Sequence, residues 1–83
     1  MIDQESALEY ERVKAFGAML ETRRKALGVT QMQVGEATGL SQQFVSVSER
    51  LNPNSGIRAF ELFRLLKYYG IKPNEAARVL GLL

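Results

Sequence analysis

The amino-acid sequence predicts a single all-α domain with five helices. Its length of 83 residues allows one modest hydrophobic core. Apolar residues recur at helical spacing along the chain, and three of these segments are followed by Gly28, Gly39 and Gly70. Glycine ends a helix readily because it enters the left-handed backbone region without a steric penalty. These three observations favour a small bundle of helices.

The first helix is expected over residues 8–27, after an acidic lead-in at residues 1–7 that should fray at its end. Its core-facing stripe spans about 60° at helical spacing and consists of Val13, Phe16, Leu20 and Leu27. The other helices are expected at residues 30–38, 41–50, 57–69 and 73–80. Pro73 suits the first turn of the last helix, because the missing N–H of proline is not needed there.

The segment at residues 57–69 is predicted to be an amphipathic helix. Its inward side should carry Ala59, Leu62, Phe63, Leu65, Leu66 and Tyr69. Its outward side should carry Phe60, Arg64, Lys67 and Tyr68. The apolar chain end at Leu82 and Leu83 is expected either to fold back onto the core or to meet the same tail in a second subunit.

Charge is distributed unevenly along the chain. The net charge of +2 combines a net −3 over residues 1–22 with a net +5 over residues 23–83. The basic segment at residues 23–83 suits a polyanionic partner such as nucleic acid. Charge alone is equally compatible with an ordinary solvated surface, so the choice between the two depends on the motif described below.

The composition argues against several classes of function. There is no cysteine and no histidine, so disulfides, thiolate chemistry and the commonest metal ligand are all missing. No apolar run approaches the roughly 20 residues that a membrane span needs, and no secretory signal pattern opens the chain. We therefore expect a cytoplasmic protein without enzymatic activity, cofactor or metal.

Residues 30–50 are predicted to form two short helices that meet at a sharp corner at Gly39. Thr30 and Ser41 can cap the two helices, because each hydroxyl accepts a backbone N–H that is otherwise unpaired. The first helix should place Val34, Gly35 and Thr38 on one side, and Leu40 should fill the corner.

The second of these helices has two chemically different sides. At 100° per residue, the inward side gathers Ser41, Phe44, Val45 and Ser48. The outward side gathers Gln42, Gln43, Ser46, Val47 and Arg50. An outward side of amides, a hydroxyl, a small apolar group and a cation is suited to reading the edges of DNA bases.

The stretch resembles the helix-turn-helix of the phage repressor and Cro group, the λ-repressor-like (Xre-type) regulators. The residues that carry the resemblance are Gln31, Val34, Gly35, Gly39, Leu40, Val45, Glu49 and Arg50. The motif covers 21 residues, and the wider five-helix pattern covers residues 13–83. The resemblance implies an all-α, five-helix λ-repressor-like DNA-binding domain, with the recognition helix 41–50 in the major groove.

The sequence departs from the usual family pattern at three positions. Thr38 and Ser48 stand where relatives usually carry a larger apolar residue, and Val47 stands where many carry a long polar one. We expect each hydroxyl to bond the carbonyl four residues back. Phe44 is expected to fill the core beside the small Ser48.

Candidate base contacts lie on the outward side of residues 41–50. Gln42 and Gln43 can each form two hydrogen bonds to adenine, and some repressors of the group also carry a glutamine pair there. Ser46 can reach a base or a phosphate. Val47 can contact a thymine methyl group or simply border the core.

Candidate backbone contacts surround this helix. In the resemblance, the loop at residues 51–56 and the helix after it lie along the DNA backbone. The residues expected to contact phosphate are Gln31, Ser41, Arg50, Ser55 and Arg58. In relatives the residue matching Arg24 often serves structure, tied to an acid in the motif; we expect that role here, and Glu49 is one candidate partner.

The sequence therefore predicts a regulator of transcription that binds specific double-stranded DNA, as a homodimer on a palindromic operator. A protein partner, either a toxin or the transcription machinery, is also compatible with it. One alternative is an antitoxin that binds a protein toxin, with Phe60, Tyr68 and the acidic N-terminal segment as its partner surface. Another is a helical interaction module that does not bind DNA.

Overall fold

The structure, a computed structural model, describes residues 4–83, with side chains from residue 7 onward. This range contains five α-helices and no β-strand: α1 (Gln4–Ala26), α2 (Gln31–Thr38), α3 (Gln42–Glu49), α4 (Ala59–Tyr69) and α5 (Pro73–Val79). The all-α prediction is confirmed. α1 begins four residues earlier than expected, and residues 1–3 of the predicted lead-in lie outside the described range.

All five helices contribute to one hydrophobic core. Its fully or almost fully buried members on α1–α4 are Phe16, Leu20, Val34, Val45 and Leu65. Leu51, Leu66, Tyr69, Ile71 and Ala76 complete it. Burial of each large side chain contributes about 1.5–3 kcal/mol, which makes this core the main source of stability.

Hydrogen bonds between residues three positions apart fix the start of α2 and α3. The Thr30 hydroxyl accepts from the backbone N–H of Gln33 at 3.1 Å, and the Gln33 side chain accepts from the Thr30 N–H at 2.8 Å. The Ser41 hydroxyl accepts from the Phe44 N–H at 3.0 Å. Gly39, at φ 76°, makes the left-handed turn between them. Both predicted caps and the predicted corner are confirmed.

Two glycines permit close backbone contacts. A Cβ atom at Gly17 of α1 would lie 3.1 Å from the carbonyl oxygens of Ser48 and Glu49. A Cβ atom at Gly35 of α2 would lie 2.7 Å from the Leu40 carbonyl oxygen. α1 therefore approaches the backbone at the end of α3 closely, and Ser48 at this approach is fully buried. Phe44 is half-buried and packs against the core.

Several predicted side-chain placements are wrong. Leu27 is 53% exposed, because α1 ends at Ala26 and the following turn carries the chain away from the core stripe. On α4, Ala59 is exposed and Phe63 is 57% exposed, since the buried stripe is narrower than the apolar pattern suggests. Tyr68 is half-buried against the core rather than turned outward.

The hydroxyls of Thr38 and Ser48 each donate to a backbone carbonyl of their own helix. The Thr38 hydroxyl donates to the Val34 carbonyl four residues back at 2.7 Å, as predicted. The Ser48 hydroxyl donates to the Val45 carbonyl only three residues back, at 2.6 Å. Leu82 and Leu83 remain 74% and 72% exposed, so they do not fold back onto the core of their own chain.

Candidate nucleic-acid interface

α3 separates a buried side from a surface side. Val45 and Ser48 are fully buried and Glu49 is 6% exposed. Gln42, Gln43 and Arg50, the residue that caps the C-terminal end of α3, are exposed, while Ser46 and Val47 are half-buried. The predicted outward set therefore does lie on the surface of the helix, with the two glutamines at its most open end.

Gln42 and Gln43 occupy the first turn of α3, directly after the Ser41 cap. Neither side chain forms a hydrogen bond with the described part of the chain. Each amide therefore keeps its full capacity to donate and to accept, which a bidentate contact to adenine requires.

Ser46 and Arg50 lie one turn apart and interact with each other. The Arg50 guanidinium donates to the Ser46 hydroxyl oxygen at 2.7 Å. The Ser46 hydrogen remains free to be donated, because only the oxygen's lone pair is used in this contact. The pair therefore presents one cation and one hydroxyl donor along the same edge of α3.

Val47 borders a shallow open groove of about 270 Å³ between α3 and the segment that leads into α4. The groove is lined by Ser41, Gln43, Phe44, Val47, Ser55, Gly56, Ile57, Arg58 and Glu61. The groove lining thus includes three residues predicted to contact the DNA backbone and two predicted to contact bases. The first three are Ser41, Ser55 and Arg58, and the other two are Gln43 and Val47. The sequence interpretation did not anticipate Glu61, whose carboxylate lies 3.3 Å from Arg58.

The two serines predicted to contact the DNA backbone, Ser41 and Ser55, each accept a hydrogen bond from a backbone N–H of their own chain while keeping a proton to donate. The Ser41 oxygen accepts from the Phe44 N–H, and the Ser55 oxygen accepts from the Asn52 N–H at 3.0 Å. A hydroxyl that accepts one bond can still donate its own hydrogen to a phosphate oxygen. Both serines are therefore fixed in position and chemically competent for a backbone contact.

The Arg58 guanidinium is available to contact a phosphate. Its side chain is 82% exposed, and its only described ion pair is with Glu61 in the first turn of α4. Exposed pairs of this kind are worth at most about 1 kcal/mol. A phosphate can therefore compete with Glu61 for the guanidinium.

Gln31 has a role that the sequence interpretation missed. Its side-chain amide donates to a Glu49 carboxylate oxygen at 3.2 Å, and the residue is half-buried. The start of α2 is thereby tied to the end of α3. The spacing of 18 residues between the two gives no local signal for this bond, which depends on how the two helices pack.

Glu49 also accepts hydrogen bonds from Arg24, the partner considered in the sequence analysis. The Arg24 Nε lies 2.6 Å from one carboxylate oxygen and its second terminal nitrogen lies 3.1 Å from the other. A further donor of the same guanidinium reaches the Val29 carbonyl at 2.9 Å. The hydrogen bond to Glu49 raises the pKa of Arg24 above its ordinary value, despite the opposing effect of burial. This cluster joins α1, α2 and α3.

Tyr69 of α4 lies near this cluster. Its hydroxyl is buried and finds no hydrogen-bond partner within residues 4–83. Burial, and to a smaller extent the negative charge of Glu49, raises the pKa of the Tyr69 phenol to about 12. The phenol is therefore neutral at any ordinary pH.

No group of three or more acidic, histidine or cysteine side chains in the described range is arranged to hold a metal ion. No helix in this range has both the length and the apolar content to cross a bilayer.

Compared with known proteins, the chain matches no family model, and no curated protein or solved structure is significantly similar to it.

Proposed function

We propose that the protein binds specific double-stranded DNA and regulates transcription, with α2 and α3 acting as a helix-turn-helix of the λ-repressor-like kind. The observation that carries the proposal is the state of Gln42 and Gln43. Both amides are exposed and form no hydrogen bond with the described residues, and they lie in the first turn of a helix whose other side is buried in the core.

The dimensions of α3 suit the major groove. That groove is about 12 Å wide and admits one α-helix, whose diameter with side chains is about 10–12 Å. In this position Gln42 and Gln43 contact adenine edges, and Val47 contacts a thymine methyl group. Ser46 contacts a base or a nearby phosphate.

The surrounding groups fix the helix on the DNA backbone. Ser41 and Ser55 donate hydroxyl protons to phosphates, and Arg50 and Arg58 supply charge. Gln31 can reach a phosphate with its remaining amide hydrogen, while its other amide hydrogen stays bonded to Glu49. Such contacts determine affinity and salt dependence rather than sequence preference.

One α3 helix reads only a few base pairs, so a specific operator needs two copies. A homodimer on a palindrome places two recognition helices about 34–36 Å apart, one helical turn of DNA. The protein then acts in the cytoplasm, and its concentration and its protein partners control occupancy of the operator.

Selection of bound duplexes from a random pool tests the proposal. We expect enrichment of a palindromic site containing adenine–thymine pairs within each half-site, bound by two copies of the chain. Failure to retain any duplex at low salt would instead support the helical interaction module without DNA binding.

A further inference from the structure

A groove of about 310 Å³ lies between α1 and the C-terminal end of α3. Its lining includes Tyr10 and Lys14 from α1, Glu49 and Arg50 from the end of α3, and Asn52 from the loop that follows. We call it the α1–α3 groove. It brings together two cations, Lys14 and Arg50, that are far apart in the sequence.

The helical spacing of α1 places Lys14 beside the end of α3. At 100° per residue, Tyr10, Lys14 and Gly17 fall within about 60° of one another. Gly17 marks the close approach of the two helices, since a Cβ atom there would lie 3.1 Å from the Glu49 carbonyl oxygen. Lys14 therefore lies one turn before this approach, on the side of α1 that faces the end of α3.

Lys14 is exposed and forms no ion pair with the described side chains, including Glu11 three residues before it. Its ammonium nitrogen lies 5.6 Å from the centroid of the Tyr10 ring, which also lines the groove. This cation–π contact favours a position of the ammonium beside the groove. Because no carboxylate is paired with it, the ammonium keeps its three N–H donors for an anion.

Arg50 and Asn52 add donors on the opposite wall of the groove. The Arg50 guanidinium uses one N–H on the Ser46 hydroxyl oxygen at 2.7 Å, which leaves four others. The Asn52 side-chain nitrogen forms no hydrogen bond with the described chain. The carboxylate of Glu49 already has a cationic partner in Arg24 and is 1% exposed. The groove therefore offers several donors and two cations to an anion.

We propose that the α1–α3 groove binds a phosphate of the DNA backbone, with Lys14 and Arg50 as cationic contacts and the Asn52 amide as a neutral donor. α1 then joins α2, α3 and the start of α4 in the DNA interface. The inference rests on the proposed function, because the phosphate belongs to the duplex that α3 reads.

The length of α3 fits this placement. Gln42 and Arg50 are eight residues apart, which is about 12 Å along the helix. The major groove is also about 12 Å wide. A helix whose first turn contacts bases can therefore bring its last turn to the sugar–phosphate ridge, where the α1–α3 groove opens beside Arg50.

The salt dependence of DNA binding tests the role of Lys14. Lys14→Gln should weaken binding to the selected duplex and to an unrelated duplex by the same factor, because a phosphate contact carries no sequence information. The slope of log K against log salt should fall by about 0.9 for each bound copy.

Arg12→Gln is the matched control. It removes one positive charge from an exposed residue of the same helix, about 160° around the helix from Lys14. This variant should keep the slope of the wild type. Circular dichroism checks that both variants are folded.

A second measurement locates the phosphate. Single phosphates of the selected duplex are replaced, one at a time, by uncharged methylphosphonates. At one position in each half-site the replacement should weaken wild-type binding more than binding of Lys14→Gln, because the variant has already lost that contact. At phosphates contacted by other residues, both proteins should lose the same affinity.

Two outcomes would overturn the inference and leave DNA binding intact. One is a Lys14→Gln protein with the wild-type slope on both duplexes. The other is an equal loss for both proteins at every methylphosphonate position. A wild-type chain that binds no duplex at low salt would overturn the proposed function as well.

Discussion

Arg24 at the end of α1 holds Glu49 at the end of α3 through two hydrogen bonds, of 2.6 and 3.1 Å. The Glu49 side chain is 1% exposed and the Arg24 side chain is 14% exposed. A buried ion pair adds little net stability, but removal of one partner leaves an uncompensated charge in the interior. The orientation of α3 relative to α1 therefore depends on this pair.

Replacement of Arg24 by alanine should consequently lower the free energy of unfolding by about 3–5 kcal/mol. Arg23→Ala is the matched control, because Arg23 and its partner Glu75 keep 36% and 40% of their side chains exposed, far more than Arg24 and Glu49. That change should cost at most about 1 kcal/mol. Urea unfolding of the three proteins measures the difference, and equal small losses would contradict the role given to Glu49.

Gly35→Ala tests the tight turn after α2. The new Cβ atom would lie 2.7 Å from the Leu40 carbonyl oxygen, which belongs to backbone and cannot rotate away. Alanine favours a helix over glycine by up to about 1 kcal/mol, but overpacking typically costs about 1–3 kcal/mol. We expect a net loss, visible as a lower melting temperature. The exposed neighbour Glu36→Ala should change stability by less than about 0.5 kcal/mol. A variant more stable than wild type would show that the turn is not tight.

The raised pKa of the buried Tyr69 phenol should make the folded chain less stable in alkaline solution. Its pKa is raised to about 12 in the folded chain, against about 10 in an unfolded one. Between these two values the unfolded chain has released a proton that the folded chain retains. The contribution of Tyr69 to stability is therefore complete below about pH 10, and it is lost by up to about 1.4 kcal/mol per pH unit as the pH rises towards about 12.

Tyr69→Phe should remove this contribution to the slope, measured by urea unfolding at several alkaline pH values. It should cost little near neutral pH, since the hydroxyl loses no partner within the described chain. An unchanged slope in Tyr69→Phe would mean that the phenol reaches water.

Salt dependence should identify the residues that contact phosphate. Each lost phosphate contact should reduce the slope of log K against log salt by about 0.9. Arg58→Ala, beside the groove on α3, should produce that change, whereas Arg78→Ala on α5 should not. Titrations of the selected duplex at several salt concentrations provide the measurement. Identical slopes for both variants would remove Arg58 from the interface.

Features encoded by a few neighbouring residues could be predicted from the sequence. Thr30, Gly39 and Ser41 are examples, because each acts on backbone groups within a few positions of itself. Features that depend on how helices pack could not. The exposure of Phe63 and the bond from Gln31 to Glu49 follow from tertiary contacts that no local pattern contains.

The Arg24–Glu49 pair is an intermediate case. Its partners are 25 residues apart, so the spacing itself predicts nothing. The pair was considered only through the family resemblance, and the structure confirms it. The interface roles of Gln42, Gln43, Ser46 and Val47 stay predictions, because the structure shows only that these residues lie on the surface side of α3.

The double variant Gln42→Ala, Gln43→Ala tests the central claim most directly. Its affinity is compared on the selected duplex and on one with the half-site adenines replaced, with Asn74→Ala as an exposed-amide control on α5. We predict that discrimination falls by about 1–3 kcal/mol for each lost bidentate contact, while the fold and non-specific binding persist. Full discrimination in the double variant would contradict the account, because α3 would then not be the element that reads the bases.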